Sequence, residues 1–324
     1  MGSSLQKIKE SNFLITGGAG FIGSNLVEFL LDNEAKTVTV LDNLATGKLS
    51  NISAFLNDKR VTFIEGDIRD YQTCVDAMKG IDYVSHQAAL GSVPRSINDP
   101  ITTNDVNIGG FLNILNAARE TKVKKIVYAA SSSTYGDSSS LPKVENIIGN
   151  PLSPYAVTKY VNELYAEVFA SLYGLNSIGL RYFNVFGPKQ DPNGAYAAVI
   201  PLFMTAALNG VQPFINGDGE QTRDFTYVEN AVQANIKGLL TETEGHQVLN
   251  IAFGEKISLN QLWQKISDLA DTVVKPIYRE QRQGDVRDSL ADITKARTLI
   301  GYEPKFSVST GLEKTFNWYK QHNG

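Results

Sequence analysis

Cysteine is nearly missing from these 324 residues: Cys74 stands alone. No internal disulfide can form, which fits a reducing compartment. Histidine is almost as scarce. His86, His246 and His322 lie far apart and make no metal-ligand spacing, so no metal is expected. Charge of one sign is lacking too: 30 Lys and Arg against 34 Asp and Glu leave a net charge of −4. That balance favours neither nucleic acid nor an acidic membrane surface. An anionic ligand would have to be held by local arginines or by backbone amides. No apolar run approaches the ~18 residues that a membrane helix needs. The opening MGSSLQKIKES has no signal-peptide core. It begins like a myristoylation site, except that Gln6 stands where Ser or Thr is expected, and its first residues could equally be a cloning remnant. These absences point to a cytoplasmic protein with no nucleic-acid or membrane partner.

What is present is ordinary apolar material, 42% of the chain, with 20% charged residues, enough for a large core. The length suits two domains. "NFLIT", "TVTVLDN", "VTFIEGD", "YVSHQAA" and "KIVYAASSS" are short apolar strands with helix-length segments between most of them. Such alternation predicts an α/β fold with a doubly wound parallel sheet, and apolar residues on both faces suit buried parallel strands. "NSIGLRYFNVFG" and "QVLNIAFG" read as later strands of the same sheet. From Pro188 the texture changes. "GPKQDPNGAYAAVIP" is turn-rich, and after Ser258 come a helix "LNQLWQKISDLA", a short strand "KPIYRE" and a terminal helix "STGLEKTFNWYKQ". The expected division is a dinucleotide-binding domain over 1–184, with a returning segment at about 225–257, and a smaller mixed lobe from 185–224 and 258–324.

Gly17, Gly20 and Gly23 lie between the first strand and the first helix. Glycine there permits a tight turn and close approach of backbone to phosphate, and the helix N-terminus offers amides to a pyrophosphate. Strand before and helix after give this motif the context that a lone glycine pattern lacks. Asp42 ends the second strand, where a carboxylate can take both ribose hydroxyls of NAD and repel the 2′-phosphate of NADP. Asp67 in "EGDI" could reach the adenine or serve as a turn residue.

"SPYAVTKYVNEL" opens with an N-cap, Ser153, and a proline at the first helical position. Tyr155 and Lys159 then share a face at i and i+4. An ammonium beside a phenol lowers the phenol's pKa and makes a base near neutral pH. Alone, the pair reads first as a tyrosine packed on a lysine stem, because such pairs are common.

Together, the spaced glycines, "LDN", "GDIRD", "HQAA", "ASSSTYG", "SPYAVTK" and "RYFNVFGP" resemble the extended short-chain dehydrogenase/reductase family across most of the chain. The resemblance implies that Tyr155 and Lys159 are catalytic, joined by one serine of the run Ser131-Ser132-Ser133. Ser132 is favoured, with Ser133 as the other candidate. It implies NAD along Gly17, Gly20, Phe21, Ile22 and Gly23, then Asp42, Asn43, Thr46, Gly47, Asp67, Ile68, Gln87, Ala88, Ala89, Asn107, Ser131, Tyr182 and Val185, with Lys159 on the nicotinamide ribose and the cationic ring further lowering the Tyr155 pKa. The dehydratases of the family carry an Asp-Glu pair after the serines, and the decarboxylases a glutamate. Here Ser132, Ser133, Thr134 and Tyr135 offer no carboxylate, which leaves hydride and proton transfer without elimination.

"QAALGSVPRS", "LPKVENIIGNPLSPYAVTKYVNELYA", "INGDGEQTRDFTYVEN" and "GDVRDSLADITKA" are similar to the bacterial UDP-N-acetylhexosamine 4-epimerases. By that likeness Asn184, Arg223 and Arg282 hold the diphosphate, Ser92, Ser131 and Ser132 contact the hexose, and Ala195 and Tyr196 lie in the loop that covers it. Ser289 stands where epimerases restricted to glucose and galactose place a tyrosine, leaving room for a 2-acetamido group. UDP-hexosaminuronic acid substrates, or net oxidation by the same fold, remain alternatives. A non-catalytic NAD sensor would have no need of the phenol. The family implies a homodimer through the helix of "NIGGFLNILNAARE" and the Tyr155 helix.

Overall fold

The structure is a computed structural model that describes residues 2–194, 197–280 and 287–322. The seven apolar runs form one parallel sheet. Its strands are β1 (Asn12–Thr16), β2 (Thr37–Asp42), β3 (Val61–Glu65), β4 (Tyr83–His86), β5 (Lys125–Ser131), β6 (Ser177–Tyr182) and a last strand, His246–Ile251. Across the sheet they run β3, β2, β1, β4, β5, β6 and then the last strand. The chain therefore grows outward from β1 in one direction and from β4 in the other, which opens a crevice at their carboxyl ends. Register sets what the crevice meets: Thr16 lies beside Leu41 and His86, and Ser131 beside Tyr182.

Alternation along each strand feeds two cores. Phe13, Ile15 and Val127 point to one, Leu14, Ile126 and Tyr128 to the other, so each face needs a helical cover. The helices Phe21–Asp32 and Val228–Leu240 cover the first face; Tyr71–Ala77, Phe111–Glu120 and Pro154–Tyr173 cover the second. The first core continues without a break into the later chain through Phe186, Phe203, Trp263 and Phe316.

That later part holds three two-stranded pairs: Val185–Phe186 with Thr226–Tyr227, Thr222–Asp224 with Lys256–Ser258, and Phe214–Asn216 with Ile277–Arg279. The helices Leu259–Leu269 and Val308–His322 stand where the sequence predicted them. Ser258 starts the former with a reciprocal capping box to Gln261.

Three elements differ from the sequence reading. The polar N-terminus forms a helix, Gly2–Glu10, that buries Ile8. The turn-rich stretch after Pro188 leads into the helix Val199–Asn209, which buries Ile200, Phe203 and Met204. Asp105–Gly110 is a π-helical turn inside the run of helix before β5. No described helix is long and apolar enough to cross a membrane.

Candidate active site

The crevice is a cleft of about 450 Å³. Two positions around the turn after β1 accept only glycine. Gly17 has φ +66°, and a Cβ there would lie 2.6 Å from the Ala88 amide nitrogen; one on Gly23 would lie 2.2 Å from the Gly17 carbonyl oxygen. The helix Phe21–Asp32 starts at Gly20 without a side-chain cap, so its first amides are left for a ligand. Asp42 is buried; its Oδ2 accepts from the Ala19 amide at 3.0 Å and its Oδ1 from Leu44 at 2.8 Å. Burial raises its carboxyl above the ordinary value, and the amides of Leu44, Ala19 and Gly20 work against that rise. Asp67 is paired with Arg69 at 2.7 Å and accepts from Asn43 at 2.8 Å. The Arg69 guanidinium holds its carboxyl down at about 2, so it is an obligate acceptor at neutral pH. A glycine cradle, a free helix start and a buried carboxylate after β2 fit a dinucleotide with an unmodified 2′-hydroxyl.

Tyr155 and Lys159 line the same cleft from the helix Pro154–Tyr173. Ser153 caps that helix by accepting from the Ala156 amide at 3.2 Å, and Gly174 ends it at φ +67°. The Lys159 ammonium donates to the Ala129 carbonyl at 2.8 Å and lies 5.9 Å from the Tyr155 ring centre. Burial pulls Lys159 down to about 8. The sequence reading expected the lysine to lower the phenol's pKa. Burial instead raises it, and the neighbouring Ser131 side chain works against that rise. Of the three serines, Ser131 lines the cleft with the phenol, and all three line a neighbouring cavity. Ser133 is linked to the site at one remove, its hydroxyl donating to Ser131 Oγ at 2.8 Å.

Beneath the cleft lies a closed ring of hydrogen bonds. Asn235 Nδ2 donates to the Tyr182 hydroxyl at 2.7 Å, and that hydroxyl donates to Gln87 Oε1 at 3.3 Å. Gln87 Nε2 returns to Ser85 Oγ at 2.9 Å and to Asn235 Oδ1 at 3.0 Å, and Ser85 Oγ donates to Asn235 Oδ1 at 3.0 Å.

The neighbouring cavity, about 240 Å³, shares Ser131 and Asn184 with the cleft. Arg223 and Ser289 also line it. Asn184 sits in the left-handed region at φ 38° and donates from Nδ2 to the Asp224 carbonyl at 3.0 Å.

Most of the predicted cofactor residues meet on one wall: Gly17, Gly20, Phe21, Ile22, Gly23, Asp42, Asn43, Thr46, Asp67, Ile68, Gln87, Ala88, Ala89, Ser131, Tyr155, Lys159, Tyr182 and Val185. Gly47 and Asn107 stand just behind it. Gly47 packs on the Asp42 carboxylate. Asn107 is buried in the π-helical turn, where its Oδ1 accepts from the Leu90 amide at 2.8 Å and its Nδ2 donates to Thr158 at 3.1 Å. Ser92 is outside both cavities and caps a short helix through the Arg95 amide at 3.2 Å. Ala195, Tyr196 and Arg282 lie outside the described residues. Sequence reasoning missed Arg69, Leu90, Thr102, Val106, Ala129 and Gln190 in the cleft, and Val93, Tyr135, Lys143, Leu152 and Asp288 in the cavity. Only Arg69 carried a signal, as the basic residue two after Asp67.

Residues 13–252 match the NAD dependent epimerase/dehydratase family. Three solved structures are similar over nearly their whole length. A UDP-N-acetylglucosamine 4-epimerase from Methanobrevibacter ruminantium, in complex with UDP-N-acetylmuramic acid, is 40% identical, covers 96% of this chain and 99% of its own, and superposes with a TM-score of 0.92. The UDP-glucose 4-epimerase of Thermotoga maritima, with UDP-glucose, is 37% identical over 97% of this chain and 100% of its own, with a TM-score of 0.91. The UDP-glucuronic acid 4-epimerase of Bacillus cereus, with UDP-glucuronic acid and NAD, is 32% identical over 96% and 99%, with a TM-score of 0.89. The chain belongs to the NAD-dependent epimerase/dehydratase family, and NAD is its cofactor.

Proposed function

We propose that this chain is a UDP-sugar 4-epimerase that interconverts UDP-N-acetylglucosamine and UDP-N-acetylgalactosamine, with UDP-glucose and UDP-galactose as smaller substrates of the same pocket. The observation that carries this reading is that Tyr155, Lys159 and Ser131 line the cofactor cleft together, while Ser131 and Asn184 also line the second cavity. A sugar hydroxyl in that cavity would meet the phenol on one side and the nicotinamide end of the cleft on the other. The small side chain of Ser289 supports the 2-acetamido assignment.

NAD⁺, held by the cleft residues, would supply the hydride acceptor and donor for C4 of the hexose. Tyr155, as phenolate, takes the proton from the 4-hydroxyl with Ser131 in the hydrogen-bond chain. The Lys159 ammonium and the cationic nicotinamide both favour that phenolate against the effect of burial. Lys159, at about 8, is still cationic at neutral pH. The 4-keto sugar then swings about its bond to the diphosphate and is reduced from its other face. Asn184, Arg223 and Arg282 hold the diphosphate during the swing, since arginine donates to phosphate oxygens in pairs. In this division of labour residues 1–184 and 225–257 bind NAD, and 185–224 and 258–324 bind the UDP-sugar.

The functional unit is a homodimer. Val157, Leu164, Val168 and Leu172 form an exposed apolar stripe on the Tyr155 helix, and Ile97 and Ile101 are also exposed. Phe111–Glu120, the other helix expected at the interface, instead buries Phe111, Ile114 and Leu115 against the sheet.

Purified protein should interconvert the two N-acetyl sugar nucleotides by NMR, carry near-stoichiometric NAD after desalting, and scatter light as a particle of twice the chain's mass. A UDP-sugar oxidised or reduced without epimerisation, with added cofactor consumed, would identify a net oxidoreductase and overturn the proposal.

A further inference from the structure

We infer that Ser133 is a positioning residue that turns the Ser131 hydroxyl into a fixed donor toward the reacting oxygens; the inference rests on the UDP-sugar reading above. Ser131 ends β5, and the chain leaves it through a single 3-10 turn, Ser132–Tyr135. That turn brings Ser133 back onto Ser131. The Ser133 amide donates to Ser131 Oγ at 3.1 Å, and the Ser133 hydroxyl donates to the same oxygen at 2.8 Å.

A serine hydroxyl has two lone pairs and one proton. Ser133 occupies both lone pairs of Ser131. What Ser131 has left is its proton, and its side chain lines both the cofactor cleft and the second cavity. Tyr155 stands on the same cleft wall, where Ser131 works against the effect of burial on the phenol.

A hydroxyl that can only donate cannot relay. To pass the 4-hydroxyl proton of the hexose on to Tyr155, Ser131 would first have to accept it, and it has no lone pair free. The 4-hydroxyl proton therefore goes directly to the Tyr155 oxygen, and Ser131 keeps its own. Ser131 donates to the phenolate before the transfer and to the C4 oxygen after it, when that oxygen has become a carbonyl. On the return path the proton goes back from Tyr155 to the C4 oxygen, and neither serine has gained or lost one. A donor aimed in advance at the oxygen that carries charge needs no reorganisation during the reaction.

The Ser133 hydroxyl is what sets this direction. Without it one lone pair of Ser131 opens, and the residue is free to turn its proton away and accept instead. The ionisable side chains on this part of the two walls are Lys159 and Tyr182 in the cleft and Tyr135, Lys143, Arg223 and Asp288 in the cavity. Neither serine is hydrogen-bonded to any of them, so Ser133 reaches Tyr155 through Ser131.

The test uses Ser133→Ala, Ser133→Thr, Ser131→Ala and the double variant, assayed for epimerisation between about pH 6 and 10 and for NAD retained after desalting. Ser133→Ala should lower kcat by ~10-fold, the scale of one hydrogen bond to a charged group, with KM and NAD content held. It should also move the acid limb of the kcat profile to higher pH by about half a unit or more, because the phenolate loses an aimed donor. Ser133→Thr keeps a hydroxyl and should restore both. In the Ser131→Ala background Ser133→Ala should cost nothing further, since its effect passes through Ser131. If Ser133→Ala does not hold NAD, Ser133→Cys, whose thiol is a weak donor, replaces it with the same expected signs. A wild-type kcat and pH profile without the Ser133 hydroxyl, or a loss that adds to that of Ser131→Ala, overturns the inference. An epimerase indifferent to Ser133→Ala sinks this inference alone. A chain that oxidises UDP-sugars without epimerising them sinks the epimerase reading and leaves this one, read by the same variants on the oxidation.

Discussion

The cofactor cleft takes its walls from the ends of adjacent strands and the turns that follow them, whereas the second cavity gathers side chains from stretches scattered between Val93 and Ser289. In the first, backbone geometry decides: the Gly17 and Gly23 positions leave no space for a single carbon. In the second, side-chain bonds decide, among them a buried pair of Arg181 and Glu163 that make two hydrogen bonds of 2.8 and 2.7 Å. Arg181 also reaches the Glu145 carbonyl at 3.0 Å and lies 4.7 Å over the Tyr135 ring on the cavity wall. A rigid frame suits a cofactor that must stay bound through the cycle. A wall assembled from side chains suits a sugar that must turn over within it.

The sharpest way to break this contrast is to remove the ion pair. Glu163→Gln leaves Arg181, 3% exposed, without its anion. We expect a loss of about 3–5 kcal/mol in unfolding free energy by urea titration. A loss below ~1 kcal/mol would show that the cavity wall does not depend on the pair.

Where the two regions meet, Tyr155→Phe should cut turnover by ~10² or more while UDP-sugar affinity holds. Retention of most activity would remove the phenol from the mechanism. On the cavity side alone, Ser289→Tyr should fill the space beside the sugar and cost N-acetyl substrates ~10-fold in kcat/KM, about 1.4 kcal/mol, with UDP-glucose and UDP-galactose spared. Equal losses on both classes would make residue 289 a packing position.

The smallest effect concerns the cleft. Lys159 titrates at about 8 in the fold and at about 10.4 in an unfolded chain. Between those values the unfolded state holds the extra proton, so this lysine makes stability rise with pH there. Replacing it, as Lys159→Met, should flatten the slope between pH 8.5 and 9.5 by at most ~1.4 kcal/mol per pH unit in cofactor-free protein. An unchanged slope would mean that Lys159 keeps its proton across this range.

The same contrast explains what could be read from the chain. The inner sheet strands were visible because strands buried on both faces are apolar runs, the edge strand β3 was visible from its β-branched and aromatic residues although none of them is buried, and the cleft was visible because its glycines and Asp42 sit at fixed offsets from those strands. Lys143, Tyr135 and Asp288 were not visible, because their approach depends on pairings such as Lys143 with Leu290 that no local pattern encodes. The placing of three consecutive serines also needed coordinates: the run ends β5 at Ser131, and only the end of that strand shows which serine lines the cleft with the phenol. The N-terminal helix was hidden because one buried residue, Ile8, anchors an otherwise polar stretch.

Two phenols line the cleft, and the hydrogen-bond ring beneath it disarms one of them. Each bond in that ring runs head to tail, so the Tyr182 proton is already given to Gln87 and its oxygen already receives from Asn235. Burial also pushes Tyr182 up to about 12, which keeps it neutral at working pH. Reversing its proton would turn donors against donors around the whole circle. In the proposed cycle proton exchange falls to Tyr155, which is not part of that ring. The ring thus sets two chemically identical groups apart before any substrate arrives.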